Sequence, residues 1–289
     1  MLKSVVCLVC HQHQKFSFIY HGFKYYRCPH CGLVTTLPLP TDSQITDHYQ
    51  QKFNQGNYEL LRRYAPDYMK VYQDMAKRLS LYCRQHQKSL KKAKLLDIGT
   101  FTGEYMEAAS QLGADVYGTE LQSEAVKIAN QKFPGKIIEA NILNTAFPHQ
   151  NFDIITLLGL IEHVVNPDKL MTRVAKLLKP NGLIMIQTPN AGSLLARSMG
   201  KYWPPYAPIE HIHLFSRQSL ELLLHQNGFD NLTYQPHVKK LPVNYIYQNL
   251  QNFGPEFHHL LKPLAPIITR SHLSLPVYGG EMIMLGQKL

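Results

Sequence analysis

"LLDIGTFTGEY", residues 95–105, is the stretch whose reading decides the fold. Leu95, Leu96 and Ile98 flank Asp97 in a run with the composition of a buried strand, and Gly99 and Gly103 then mark a tight turn ahead of a helical stretch. A strand that passes through a glycine turn into a helix holds a nucleotide-like ligand beyond the carboxyl end of a parallel sheet.

The segments that follow keep alternating. "DVYGTEL" reads as a strand, "SEAVKIANQKF" as a helix opened by Ser123, "FDIITLLG" as a strand, "PDKLMTRVAKLLKPNG" as a helix and "LIMIQTP" as a strand. This order predicts an α/β domain over 91–289: a Rossmann-like, seven-stranded, mostly parallel sheet with flanking helices. Loop-rich insertions are expected near 190–213 and 237–276. Ahead of the domain, 37–90 reads as a proline-bearing linker and a helical segment interrupted near Pro66.

Thirty Lys+Arg against twenty Asp+Glu give a formal charge of +10, but the basic residues are scattered and no polybasic tail is present. Charge alone therefore does not argue for nucleic acid. No apolar run approaches the roughly 18 residues that span a bilayer, and the start has too short an apolar stretch for a signal peptide, so a cytoplasmic protein is expected.

Four cysteines form two pairs, Cys7-Leu-Val-Cys10 and Cys28-Pro-His-Cys31, separated by seventeen residues. Two such turns supply four thiolates to a tetrahedral zinc ion, and the aromatic, β-branched stretch between them suits a hairpin, so residues 1–36 read as a zinc ribbon. Four cysteines close the coordination shell, which makes the zinc structural rather than catalytic.

The glycine turn selects among cofactors. A dinucleotide loop wants glycine where Phe101 stands, and Glu104 at the helix entry would repel a diphosphate. S-adenosylmethionine (SAM) carries no phosphate, and its ammonium can be met by Asp97 or Glu104. Glu120, about twenty residues after the turn and at the end of the second strand, is placed to accept hydrogen bonds from ribose hydroxyls. Asn141 and Ile142 stand where an adenine would be held.

Together "LLDIGTFTGEY", "DVYGTELQSEAVKIA", "FDIITLLGLIEHVVNPDKLMTRVAKLLKPNGLIMIQTPN" and "HIHLFSRQSLELLLHQNGF" resemble the class I SAM-dependent methyltransferases, and the whole layout is similar to bacterial members with an N-terminal zinc-binding segment. The resemblance implies that Asp97, Gly99, Phe101, Gly103, Glu120, Leu121, Asn141, Ile142 and Gly159 form the cofactor set, with Phe101 in place of the middle glycine. "IEHV" resembles the Glu-His pair of quinol O-methyltransferases, in which a further acid three residues earlier helps bind a divalent metal. Here that place is Gly159, so Glu162 and His163 alone make a poor metal site.

Methyl transfer is an in-line displacement, so the protein has to position an acceptor and take its proton. His211 and His213 share a face if "PIEHIHLF" is extended, and with His163 they are the candidate bases. Tyr202, Trp203 and Tyr206 are expected as acceptor walls. The acceptor is expected to be a small molecule such as a sugar, a polysaccharide precursor, a quinol or a secondary metabolite. An RNA methyltransferase acting on a base nitrogen or a ribose, or a non-catalytic binding module with this fold, is the alternative; adenine amino methylation and pyrimidine carbon methylation are argued against by "LGLIEH" after the fourth strand and by the lack of a cysteine nucleophile in the catalytic half.

Overall fold

A computed structural model of the chain describes residues 5–41, 44–45, 47–48, 51, 65–143, 151–253, 255–271 and 273–289. Most of the expected linker, 42–64, lies outside the described residues.

The N-terminal part is a small antiparallel sheet of β1 (Val5–Val6), β2 (His13–Tyr20), β3 (Phe23–Arg27) and β4 (Val34–Leu37). Helix α1 (Ala65–Gln85) follows. The alternating part then runs β5 (Lys94–Ile98), α2 (Glu104–Gln111), β6 (Asp115–Glu120), α3 (Ser123–Lys132), β7 (Ile137–Glu139), β8 (Phe152–Leu158), α4 (Pro167–Leu177) and β9 (Leu178–Pro189). After α5 (Leu194–Met199) and the short β10 (His213–Leu214) come α6 (Arg217–Gln226) and β11 (Phe229–Pro242). Helices α7 (Val243–Phe253), α8 (Pro255–Leu261) and α9 (Ala265–Arg270) precede β12 (Ser274–Lys288).

Seven strands form the main sheet in the order β11-β12-β9-β8-β5-β6-β7. Only β12 runs antiparallel to its neighbours, β9 and β11. The apolar runs of β5, β8 and β9 are buried on both faces, as a sheet covered by helices requires. Strand order reverses between β5 and β8, so the crevice outside their carboxyl ends is the switch point where such folds bind ligands.

Two expectations about organisation change. The stretch 237–276 is not loop-rich: β11 and β12 continue as a long hairpin past a bulge at His237/Val238, and three helices fill the space between them. Nor is the ribbon a separate unit ending at residue 36. Strand β10 pairs antiparallel with β4, His213 opposite Thr35 and Leu214 opposite Val34, so the small sheet gains a fifth strand from the large domain. Cys7, Val9, Cys28, Cys31 and Leu33 share one buried cluster with Phe215, Leu220 and Leu223. Among the described residues no helix is long and apolar enough to cross a membrane.

Candidate active site

The cofactor end is built by the turn after β5. Gly99, Phe101 and Gly103 all have positive φ, +76°, +51° and +85°, so alternate residues of the turn are left-handed. Phe101 therefore occupies a position where glycine costs nothing and a Cβ costs about 1–2 kcal/mol. The turn is held in compensation: the N–H groups of Gly99 and Thr100 both donate to the Thr119 carbonyl, at 2.8 and 3.0 Å. Phe101 N–H donates to Glu120 Oε2 at 2.9 Å, while Leu121 and Gln122 N–H donate to Oε1 at 2.7 and 3.0 Å. Glu120 thus ties the glycine turn to the end of β6. Three donors leave part of the carboxylate's acceptor capacity for a ligand hydroxyl.

Asp97 is 2% exposed and accepts a 2.6 Å bond from Thr156 Oγ1. Burial pushes its carboxyl up to about 7. A buried carboxylate met only by hydroxyls gains most from an incoming cation. Glu104, by contrast, accepts from Thr102 Oγ1 and lies 3.4 Å from Lys132 Nζ, so its charge is already answered. Asn141 turns its Oδ1 onto Leu143 N–H at 3.0 Å, beside the buried Ile142, and Leu121 is exposed next to Glu120. Gly159, also at positive φ, faces the other end of the crevice: a Cβ there would stand 3.7 Å from Gln187 Oε1 and 3.9 Å from Glu162 Oε1.

The second cluster follows β8. Leu160 packs against Gly99, and the 3-10 turn Ile161–His163 places Glu162 and His163 beside the cofactor turn. Glu162 is 2% exposed, accepts from Thr188 Oγ1 at 2.9 Å, and is pushed up to about 7 by burial. Its Oε1 lies 3.8 Å from His163 Nε2, and the His163 and His211 rings meet edge to face at 4.7 Å. One ligand atom from each of Glu162, His163 and His211 lies within 4.8 Å of the others. The third member, missing from the sequence pattern around Gly159, comes from a loop almost fifty residues away.

His211 Nδ1 donates to the Pro205 carbonyl at 2.6 Å, which puts the lone pair of the neutral ring on Nε2. His213 is placed differently. It is 2% exposed, its Nε2 donates to the Val165 carbonyl at 3.2 Å, and its Nδ1 lies 3.4 Å from Thr35 Oγ1. Burial holds it down to about 4. That is a pin between loop, sheet and ribbon, and the expectation of His213 as a base is corrected accordingly. Trp203 and Tyr206 are likewise core rather than acceptor walls. Trp203 is 1% exposed with Nε1 on the Gly279 carbonyl, and Tyr206 packs edge to face on Phe18 and Tyr25 of the ribbon; Tyr202 points to solvent.

The ribbon frames this loop through several bonds. Thr36 N–H donates to the Ile212 carbonyl at 3.0 Å and Thr36 Oγ1 to the His211 carbonyl at 3.1 Å. Arg27 donates to the Ala191 carbonyl at 3.2 Å and to the Tyr206 hydroxyl at 3.1 Å. Ser216 Oγ donates to the Cys31 carbonyl at 2.5 Å, and Gln226 to the Val9 carbonyl at 2.9 Å. Ile212 N–H donates to the Glu162 carbonyl at 2.8 Å, closing the chain of contacts from ribbon to site.

The four ribbon cysteines are not joined by disulfides. Their Sγ atoms lie within 4.8 Å of one another, with Cys7–Cys31 at 3.5 Å and Cys10–Cys28 at 3.3 Å. A tetrahedron of sulfurs around zinc has edges of about 3.8 Å, so the donor set fits the ion. The Cys31 hydrogen bond draws Cys7 down to about 5, while the same contact and burial raise Cys31. Other polar contacts join residues that carry no sequence signal. Gln187 Nε2 donates to Glu281 Oε2, Lys239 pairs with Glu281 at 2.7 Å, and Tyr68 of α1 meets Tyr245 of α7 at 2.6 Å.

A family model described as a methyltransferase domain matches residues 62–234. The chain belongs to that family, and its seven-stranded sheet and crevice are those of a SAM-dependent methyltransferase. Among curated proteins it is 28% identical over 182 residues to a ubiquinone biosynthesis O-methyltransferase of Shewanella pealeana, a match covering 55% of this chain and 77% of that one. It is 33% identical over 109 residues to the enzyme of the same description from Bordetella avium, covering 35% and 45%. Among solved structures, a SAM-dependent methyltransferase of Thermotoga maritima superposes with a TM-score of 0.54 at 16% identity, over 81% of this chain and 95% of that one. Magnesium protoporphyrin IX methyltransferase of Synechocystis, solved with S-adenosylhomocysteine, gives 0.54 at 13% identity, over 84% and 100%. Both structural likenesses speak for the fold.

Proposed function

We propose that the protein methylates a hydroxyl oxygen of a small-molecule acceptor, held between the Glu162–His163 turn, the His211 loop and helix α1. The relatives named for ubiquinone biosynthesis O-methylation support an oxygen acceptor on a small molecule. SAM supplies an electrophilic methyl group on a sulfonium sulfur. Asp97 meets the ammonium of its amino-acid tail, Glu120 the ribose hydroxyls, and Leu121, Asn141 and Ile142 the adenine, with Gly99 and Gly103 keeping the turn close.

The single observation that carries the acceptor side is the convergence of Glu162, His163 and His211 within 4.8 Å beside the cofactor turn. As the acceptor oxygen forms its bond to the methyl carbon and the carbon–sulfur bond breaks, the hydroxyl proton passes to an imidazole nitrogen of His211 or His163. The carboxyl of Glu162 orients His163. A second reading is favoured by the same donor set: one carboxylate and two imidazoles suit a divalent ion that would bind the acceptor oxygen directly. The zinc proposed for Cys7, Cys10, Cys28 and Cys31 stays structural, and the ribbon keeps the His211 loop in place.

Methyl-labelled SAM offered together with a panel of hydroxylated small molecules and total RNA tests the proposal. Label in the small-molecule fraction, lost in His211→Ala and His163→Ala, is expected. Label in RNA, or no SAM binding at millimolar concentration, overturns it. Activity that needs added divalent metal selects the second reading.

A further inference from the structure

The hairpin β11–β12 and the helices between its arms carry a surface that methyl transfer does not use. Leu260, Leu264 and Ile267 are 74%, 50% and 71% exposed, and Leu273 and Leu275 are exposed on the strand side. The first three follow one another at four- and three-residue spacing, from α8 through the 3-10 turn Lys262–Leu264 into α9. Single exposed apolar side chains are ordinary; five large ones fall within residues 260–275.

Charge on this surface has one sign. Lys240, Lys262 and Arg270 are exposed, and none of them forms an ion pair among the described residues. From 231 to 280 the sequence contains a single acidic residue, Glu256, against Lys239, Lys240, Lys262 and Arg270. Of these cations only Lys239 is answered, by Glu281.

We infer that this helical cap seats the protein on an anionic lipid bilayer, with the leucine and isoleucine side chains entering the headgroup boundary and the free lysines and arginine meeting lipid phosphates. Apolar area combined with unpaired basic residues is the signature of an interfacial helix rather than a spanning one. A second copy of the chain is the weaker occupant. A two-fold contact would set this predominantly basic stretch against itself and bring like charges together. The inference does not depend on which acceptor is methylated.

Co-sedimentation of the full-length protein with vesicles tests it. Binding is expected to vesicles containing phosphatidylglycerol and not to pure phosphatidylcholine, and to weaken in high salt. The double variant Leu264→Glu/Ile267→Glu is expected to lose binding by about tenfold or more, and Lys262→Glu/Arg270→Glu to lose the preference for anionic lipid. Unchanged melting and SAM affinity in both variants would show that the fold is intact. Absence of binding to anionic vesicles, equal binding by the Leu264/Ile267 variant, or a concentration-dependent dimer that this variant abolishes would each overturn the assignment.

Discussion

The two ends of the crevice are built on different length scales. At the cofactor end the ties around Glu120 are local: the turn at 99–103, Glu120 and the residues just after it bond to one another within some twenty residues of chain, and the Thr156 bond to Asp97 spans 59. At the acceptor end, His211 is set by Thr36, Tyr206 by Arg27, and Ser216 by Cys31, contacts that reach back more than 170 residues into the ribbon. Damage to the ribbon should therefore leave cofactor binding alone and disorganise the acceptor side.

The strongest way to break this comparison is to remove a thiolate. Cys28→Ser should destabilise the ribbon and the elements packed on it by roughly 4 kcal/mol or more in a urea melt, in keeping with loss of a structural metal. Methyl transfer should fall with it while SAM affinity in the folded fraction holds. An unchanged melt would show that neither the metal nor the ribbon supports the fold.

Acid comes next. His237 on β11 is 1% exposed, and among the described residues neither ring nitrogen has a hydrogen-bond partner. Burial, with Lys239 and Arg78 reinforcing and Glu281 and Asp74 opposing, holds it down to about 4. The folded imidazole stays neutral while the unfolded one takes a proton below its usual value near 6.5, so this contribution to stability is intact at neutral pH and is lost as pH falls from there towards 4. The loss approaches about 3 kcal/mol. In His237→Phe, melts across that window should show a shallower fall; the same slope in both proteins would remove His237 from the account.

Glu120→Ala probes the local end. It should weaken SAM binding by about 1–3 kcal/mol in calorimetry, through lost charged hydrogen bonds to the ligand and to the turn. Smallest is Phe101→Gly. Relief of the left-handed strain is offset by the greater freedom of glycine in the unfolded chain, so stability should move by less than about 1 kcal/mol with SAM binding retained. A large loss would mean that the Phe101 side chain, rather than its backbone, holds the cofactor.

This contrast also explains what could be read in advance. The strand–turn–helix at 95–105, the acid at Glu120 and the alternation after it are local patterns, and periodicity and spacing report them. The paired cysteines are legible for the same reason. Pairing of β4 with β10 leaves no local trace, because two short edge strands so far apart in the chain carry no matching period. So "KYWPPY" looks like an acceptor wall until its Trp203 and Tyr206 are seen to fill the core beneath the ribbon, and His211 and His213 look equivalent until burial separates them. The sequence pairs Glu162 with His163 alone, because the third group, His211, arrives through tertiary packing.

The most direct test keeps the ribbon cysteines and cuts one strut. Arg27→Met removes the bonds to Ala191 and Tyr206 without touching either cluster of the crevice. Amide hydrogen exchange, followed by peptide, should then show faster exchange across 191–216 and unchanged protection across 95–122. Equal protection at both ends, or loss at the cofactor end as well, would contradict the claim that the ribbon holds the acceptor side alone.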